Sequence, residues 1–403
     1  MKHMCLSYPL IEMTDLELVS SPLGALRQGE RDSLMTTSDT HPDEGPSMGS
    51  KLVGADTIQM YMSVLAVPIL HYILLLILFA SKLNRASDLL HLVFDNCGRK
   101  VIRTCTETKY CVKQFKMNIL KNNWYTESCD MWPGGTFSFE VKEILHQEKS
   151  PYQDIIVCDT TSFGRVLILD GIIQCTEKDE FSYQEMLSFL ALCSHKNPEK
   201  VLIVGGGDGG VAREVSKHPK VKEIVQVEID ARVVEVSKKY LPYMSVGFNS
   251  EKLTLHIGDG FEFMKNHSNE FDVILTDSSD PVGPAVSLFQ ENYFALMKSA
   301  LKPNGIVCSQ AGTFWNDLDL VTNTLKYCRN QFPVGAYAYT SVPTYPSGLI
   351  GFVLGSLDPD VKFDSPQITF TKEEERAMKL KYYNSDIHKA AFTLPTFLRN
   401  QLN

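Results

Sequence analysis

Beyond Lys200 the chain alternates short apolar runs with stretches of helical periodicity. The runs at 201–204, 224–227, 253–257, 271–276 and 305–309 are rich in Val, Ile and Leu and too short for helices. Recurring in this way, they read as an α/β fold with a doubly wound parallel sheet. Upstream the period changes to two. Residues 137–141, 154–157 and 165–169 alternate apolar with polar positions, and Asp170-Gly171 is a hairpin turn signal leading into 172–174. A small antiparallel β-domain is predicted there. Between the two patterns, 180–195 reads as a helix carrying Tyr183 and Gln184 on its first turns.

The chain before about residue 121 follows neither pattern. Residues 1–56 are polar, acid-leaning and rich in Ser, Thr, Pro and Gly, a composition that predicts a disordered extension. Nineteen nearly unbroken apolar residues run from Met62 to Ala80, interrupted by Pro68 and His71. That is about the length of a bilayer-crossing helix. The segment 57–82 is therefore a candidate transmembrane helix, with a buried helix as the other reading. Lys82 and Arg85 put its C-terminal side in the cytoplasm. The remaining organisation reads as a linker over 83–120, the β-domain over 121–178 and the catalytic domain over 179–403.

Composition narrows the partners. The 403 residues carry a formal charge of −9, which argues against a nucleic-acid surface and suits cationic small molecules. The ten cysteines form no Cys-x-x-Cys pair, and no two histidines stand at i, i+4. Reduced thiols in a cytosolic setting are expected, without structural zinc. This includes Cys105 and Cys111, the closest pair.

The chemistry gathers at predicted strand ends, where ligands of such sheets bind. The first strand runs into Gly205-Gly-Gly-Asp-Gly-Gly210, whose glycines allow a sharp turn and close approach to a ligand. Nucleotide enzymes of several kinds share such a turn. Asp208 separates them: a carboxylate there repels a pyrophosphate and attracts a cation, such as an adenosyl sulfonium. Glu228 ends the next strand, where an acid takes both ribose hydroxyls, and Asp259-Gly260 follows the third, in reach of an adenine amine. The fourth strand delivers Asp277 and Asp280, followed by a Gly and Pro loop. A primary amine of pKa about 10 is nearly all protonated at neutral pH, so a nucleophilic diamine needs a base at one end and an anion at the other. The two aspartates suit those roles.

YQD at 152–154, LDGIIQ at 169–174, DEFSYQE at 179–185, the glycine turn, DSSDP at 277–281 and PTYPSG at 343–348 together resemble the spermidine synthases of the aminopropyltransferase family. The resemblance runs from about Trp124 to the C-terminus. It implies a Rossmann-like, methyltransferase-type domain behind the β-domain, usually in a homodimer. It also implies transfer of an aminopropyl group from decarboxylated S-adenosylmethionine, a cosubstrate rather than a cofactor, to putrescine. Carried over, Asp277 is the proton acceptor; Asp280, Tyr183, Tyr345 and Trp132 line the diamine site; Gln153, Gln184, Asp208, Glu228, Asp259 and Gly260 bind the nucleoside, with Gln174 beside them. Spermidine as acceptor and methyl transfer to putrescine are alternatives; a non-catalytic scaffold and an NAD-dependent oxidoreductase rank lower. One departure stands out. After Gln310 similar enzymes carry Gly or Ala and then Glu, whereas this chain reads Ala311-Gly-Thr-Phe-Trp315.

Overall fold

The computed structural model describes residues 123–402, apart from 130 and 282. The expectations for 1–56, 57–82 and 83–120, with the apolar run and the Cys105 and Cys111 pair, lie outside the described residues. Among the described residues no helix is long and apolar enough to cross a membrane.

Five strands come first: β1 (Trp124–Glu127), β2 (Phe137–Lys149), β3 (Asp154–Thr160), β4 (Arg165–Leu169) and β5 (Ile172–Thr176). They pair antiparallel in chain order. Asp170 and Gly171 both take positive φ, 48° and 78°, as the tight turn joining β4 to β5 requires. The strands are more buried than simple alternation predicts. Ile156, Cys158, Val166 and Ile168 pack with Tyr125 and Phe139 on one face. Ile155, Val157 and Leu167 on the other face meet Val233, Val236 and Met244 of the following domain. A sheet covered on both sides needs apolar residues at both parities.

The second domain begins with α1 (Glu180–Ser194), a helix buried along nearly its whole length. Leu187, Phe189, Leu190 and Leu192 are fully enclosed, and each such side chain contributes roughly 1.5–3 kcal/mol of transfer free energy. Then follow β6 (Lys200–Gly205), α2 (Gly210–Lys217), β7 (Glu223–Glu228), α3 (Ala231–Tyr240), α4 (Pro242–Ser245), β8 (Leu253–Ile257), α5 (Gly260–Met264) and β9 (Phe271–Asp277). The sheet is completed by β10 (Leu301–Gln310), β11 (Val334–Ser341) and β12 (Leu349–Ser356), with α6 (Glu291–Ala300) leading into β10 and α7 (Leu318–Gln331) joining β10 to β11. The strand order is β11-β12-β10-β9-β6-β7-β8, and β12 alone runs antiparallel to its neighbours. This is a methyltransferase-type sheet with a core on each face.

The chain leaves β6 toward β7 on one side, and β9 lies on the other. Such a switch in strand order opens a crevice at the carboxyl ends. The C-terminal segment braces the helix beside that crevice. Glu185 of α1 accepts from the backbone amides of Lys381, Tyr382 and Tyr383 at 2.8, 2.9 and 2.8 Å.

Candidate active site

A cavity of about 350 Å3 occupies the crevice and extends under the β-domain. All twelve residues singled out in the sequence line it: Trp132 from the turn after β1, Gln153 before β3, Gln174 of β5, Tyr183 and Gln184 of α1, Asp208 of the glycine turn, Glu228 at the end of β7, Asp259 and Gly260 after β8, Asp277 and Asp280 at and beyond the end of β9, and Tyr345 between β11 and β12.

The glycine turn has a steric reason. Gly205 pairs across the sheet with Asp277 and sits at φ 85°, so a side chain there would overlap the Asp277 carbonyl oxygen. The turn therefore presses directly against the strand end that carries Asp277. Gln226, buried behind it, donates from Nε2 to the carbonyls of Gly205 and Gly206 at 2.8 and 2.7 Å. Asp208 accepts from the Gly210 amide at 2.6 Å and from Gln184 Nε2 at 3.0 Å. Burial still holds its carboxyl above the usual range, against the pull of that amide and of Arg213.

Asp277 accepts from the Tyr183 hydroxyl at 2.8 Å. Burial pushes its carboxyl well above the ordinary carboxylate range, Asp208 pushes it further, and only the tyrosine opposes. Tyr183 and Tyr345 stand 5.9 Å apart between ring centres, and the Tyr345 hydroxyl donates to the Gln174 carbonyl at 2.6 Å. They form an aromatic wall beside Asp277. Asp280 accepts from Gln310 Nε2 at 3.2 Å and is raised to about 6 by burial. Glu228 accepts from the Asp230 amide at 2.8 Å and is raised to about 7, again chiefly by burial. Gln153 Nε2 donates to Asp230 at 3.0 Å, and Asp259 Oδ1 accepts from the Phe261 amide at 2.7 Å at the cavity mouth.

Near the site, Glu127 and Asp317 carried no signal in the sequence reading. Glu127 of β1 is buried beneath the Asp280 end, its Oε2 accepting from the Ile173 amide at 2.5 Å and its Oε1 without a partner. Burial first, with Asp280 nearby, raises it to about 7. Only its place two residues after Tyr125, on the inward face of a short strand, could have marked it. Asp170 and Asp317 also line the cavity. In all, seven carboxylates and no lysine or arginine stand among the described lining residues, and Gln184 Oε1, Ser278 Oγ and Gln310 Oε1 are buried there without partners. Gly312 sits in the wall at φ 68°. Such a cavity suits a ligand with several positive charges and N–H donors. No group of three or more His, Cys, Asp or Glu among the described residues is arranged to hold a metal ion.

Comparison with known proteins gives the same outline. Residues 180–365 match the spermine/spermidine synthase domain, and 123–177 match the spermidine synthase tetramerisation domain. A spermidine synthase of Dictyostelium discoideum is 51% identical over 287 residues, which are 71% of this chain and 100% of that protein. One of Schizosaccharomyces pombe is 50% identical over 289 residues, 72% of this chain and 97% of the relative. Among solved structures, a spermidine synthase in complex with the transition state analogue AdoDATO superposes with a TM-score of 0.65 at 33% identity, covering 72% of this chain and 98% of that one.

Proposed function

The chain belongs to the spermine/spermidine synthase family, and from that premise we propose that it transfers an aminopropyl group from decarboxylated S-adenosylmethionine to putrescine, giving spermidine and methylthioadenosine. The observation that carries this reading is the cavity lined by seven carboxylates and no basic group among the described residues. Both reactants are cations. A pyrophosphate cofactor would meet Asp208 in the turn where its phosphates belong, which argues against an oxidoreductase.

In this reading the sulfonium lies by Asp208, the ribose hydroxyls donate to Glu228, and the adenine reaches Asp259 and Gly260. The diamine lies between Tyr183 and Tyr345. Its far ammonium has three N–H donors, and Asp280 and the unpartnered Gln310 Oε1 offer acceptors at that end. Asp277 takes one proton from the near ammonium. The freed lone pair attacks the methylene on sulfur, the new C–N bond forms as the C–S bond breaks, and the electron pair leaves on a neutral thioether. A carboxylate held above its ordinary range is a better match for an amine's proton than a solvated one. Alignment of the two reactants supplies most of the remaining rate. Asp208 also favours the decarboxylated donor, because a donor carboxylate would sit against it.

Incubating the purified chain with the decarboxylated donor and with putrescine or spermidine, then weighing the products, tests this. Added aminopropyl mass on putrescine with release of methylthioadenosine is expected. Methyl addition, or reaction with spermidine alone, would replace the proposal with one of its rivals. The match of 123–177 to a tetramerisation domain favours an assembly of several copies over a single chain, and light scattering distinguishes a homodimer from a tetramer.

A further inference from the structure

Asp179 stands at the N-cap of α1, yet its carboxylate makes no bond to the helix it precedes. An aspartate at that position ordinarily caps the first turn. Here the side chain turns inward and is buried. Its Oδ1 accepts from Thr176 Oγ1 at 2.7 Å, while Oδ2 accepts from the Thr344 amide at 2.9 Å and from Thr344 Oγ1 at 2.8 Å. One carboxylate thus ties together the end of β5, the start of α1 and the connection between β11 and β12. Those segments carry Gln174, Tyr183 and Tyr345.

The three segments are not equally dependent on it. Helix α1 is held independently by the bonds of Glu185 to the C-terminal segment, and Gln184 by Asp208. Gln174 belongs to a paired strand of the β-sheet. The β11–β12 connection closes on itself through turn bonds and touches Thr313 through Ser347 at 3.0 Å, but at Thr344 its buried anchor is Asp179; Tyr345 follows directly, and its hydroxyl donates to the Gln174 carbonyl at 2.6 Å. Without Asp179 the backbone at Thr344 loses its buried partner, and the Tyr345 ring can drift from Tyr183. We propose that Asp179 is a positioning residue for the acceptor amine, setting the gap between the two tyrosines without touching either substrate. This rests on the aminopropyl-transfer reading and adds to it a residue that acts on one substrate only.

The test compares Asp179→Ala, Thr344→Val and the conservative Asp179→Asn in the full chain, with both substrates varied. Asp179→Ala is expected to raise the amine KM by about tenfold or more while the donor KM stays within about threefold. Asp179→Asn should restore most of the amine affinity, since its oxygen can accept from Thr344 and its nitrogen can donate to Thr176 Oγ1. Thr344→Val, which preserves volume and the backbone bond, should give a smaller rise confined to the amine. If Asp179→Ala does not fold, that variant decides alone. A residue that merely stabilises the fold would shift both KM values alike, and such equal shifts, or an unmoved amine KM, overturn the proposal. Amine binding read from the fluorescence of Trp132, which lines the cavity, gives the same comparison without turnover. A wild-type chain that binds putrescine but transfers no aminopropyl group would refute the functional reading while leaving this comparison intact.

Discussion

Glu228 allows a quantitative test of how this site holds charge. Its carboxyl is enclosed, with the backbone amides of Asp230 and Ile229 as partners, and burial lifts its pKa from 4.5 to about 7. A group whose folded pKa exceeds its unfolded value favours folding fully only below the unfolded pKa, and that contribution is lost as pH rises through the folded one. Between pH 5 and pH 8 the ligand-free protein should therefore lose about 2 kcal/mol of stability through Glu228 alone, at about 1.4 kcal/mol per pKa unit. Glu228→Gln keeps the acceptor for the Asp230 amide and cannot ionise. Its stability at pH 8 should exceed that of the wild type by about 2 kcal/mol more than at pH 5.

Urea unfolding of ligand-free wild type and variant at the two pH values, followed by tryptophan fluorescence, measures this difference of differences. The same substitution should weaken donor binding, because a carboxylate accepts from both ribose hydroxyls and an amide oxygen does so more weakly. Together the two effects would show a side chain kept for the ligand at a cost to the empty fold. Parallel pH dependences for wild type and Glu228→Gln would refute the claim that burial holds this carboxyl near neutrality.

Three further outcomes follow. With the donor saturating, kcat/KM for putrescine should fall as pH drops through about 6, where Asp280 takes up its proton, and Asp277, raised well above its ordinary range, should deepen the fall, since the proposed roles need both ionised; a flat profile from pH 5 to 8 would contradict this. Gly205→Ala meets the Asp277 carbonyl from a left-handed backbone and should destabilise the protein by more than about 3 kcal/mol, so an unchanged urea midpoint would count against the close packing of turn and strand. Glu185→Ala strands three backbone amides of the C-terminal segment and should cost about 3 kcal/mol, with faster hydrogen exchange at 381–383 as the local signature.

The sheet and the row of acids along its carboxyl edge were legible in the sequence because local pattern determines both. Apolar runs set the strands, strand ends set the crevice, and the glycine turn with Asp208, Glu228 and Asp277 falls at consecutive strand ends. What the sequence could not display are contacts made by residues far apart in it. Asp179 reads as the opening of a helix; only the fold brings it to Thr344, and only then is it visible that the carboxylate is diverted from capping. The two-sided burial of β3 and β4 likewise depends on α3 and α4 packing beneath them.

The acid absent after Gln310 is best understood from the charges around it. Asp280 lines that end of the cavity and Glu127 is buried near it, the first raised to about 6 and the second to about 7, mainly by burial. Two interacting carboxyls of this kind already resist ionising together near neutrality. A third acid at position 312 would push both higher and leave a protonated, hydrogen-bond-donating carboxyl where an ammonium needs acceptors. With Gly312 in the wall, no third carboxyl adds to the repulsion between Glu127 and Asp280. An acid of β1 and one beyond the end of β9 thus come near each other only because the β-domain docks over the sheet, and in the proposed reading Asp280 is the one that faces the far ammonium.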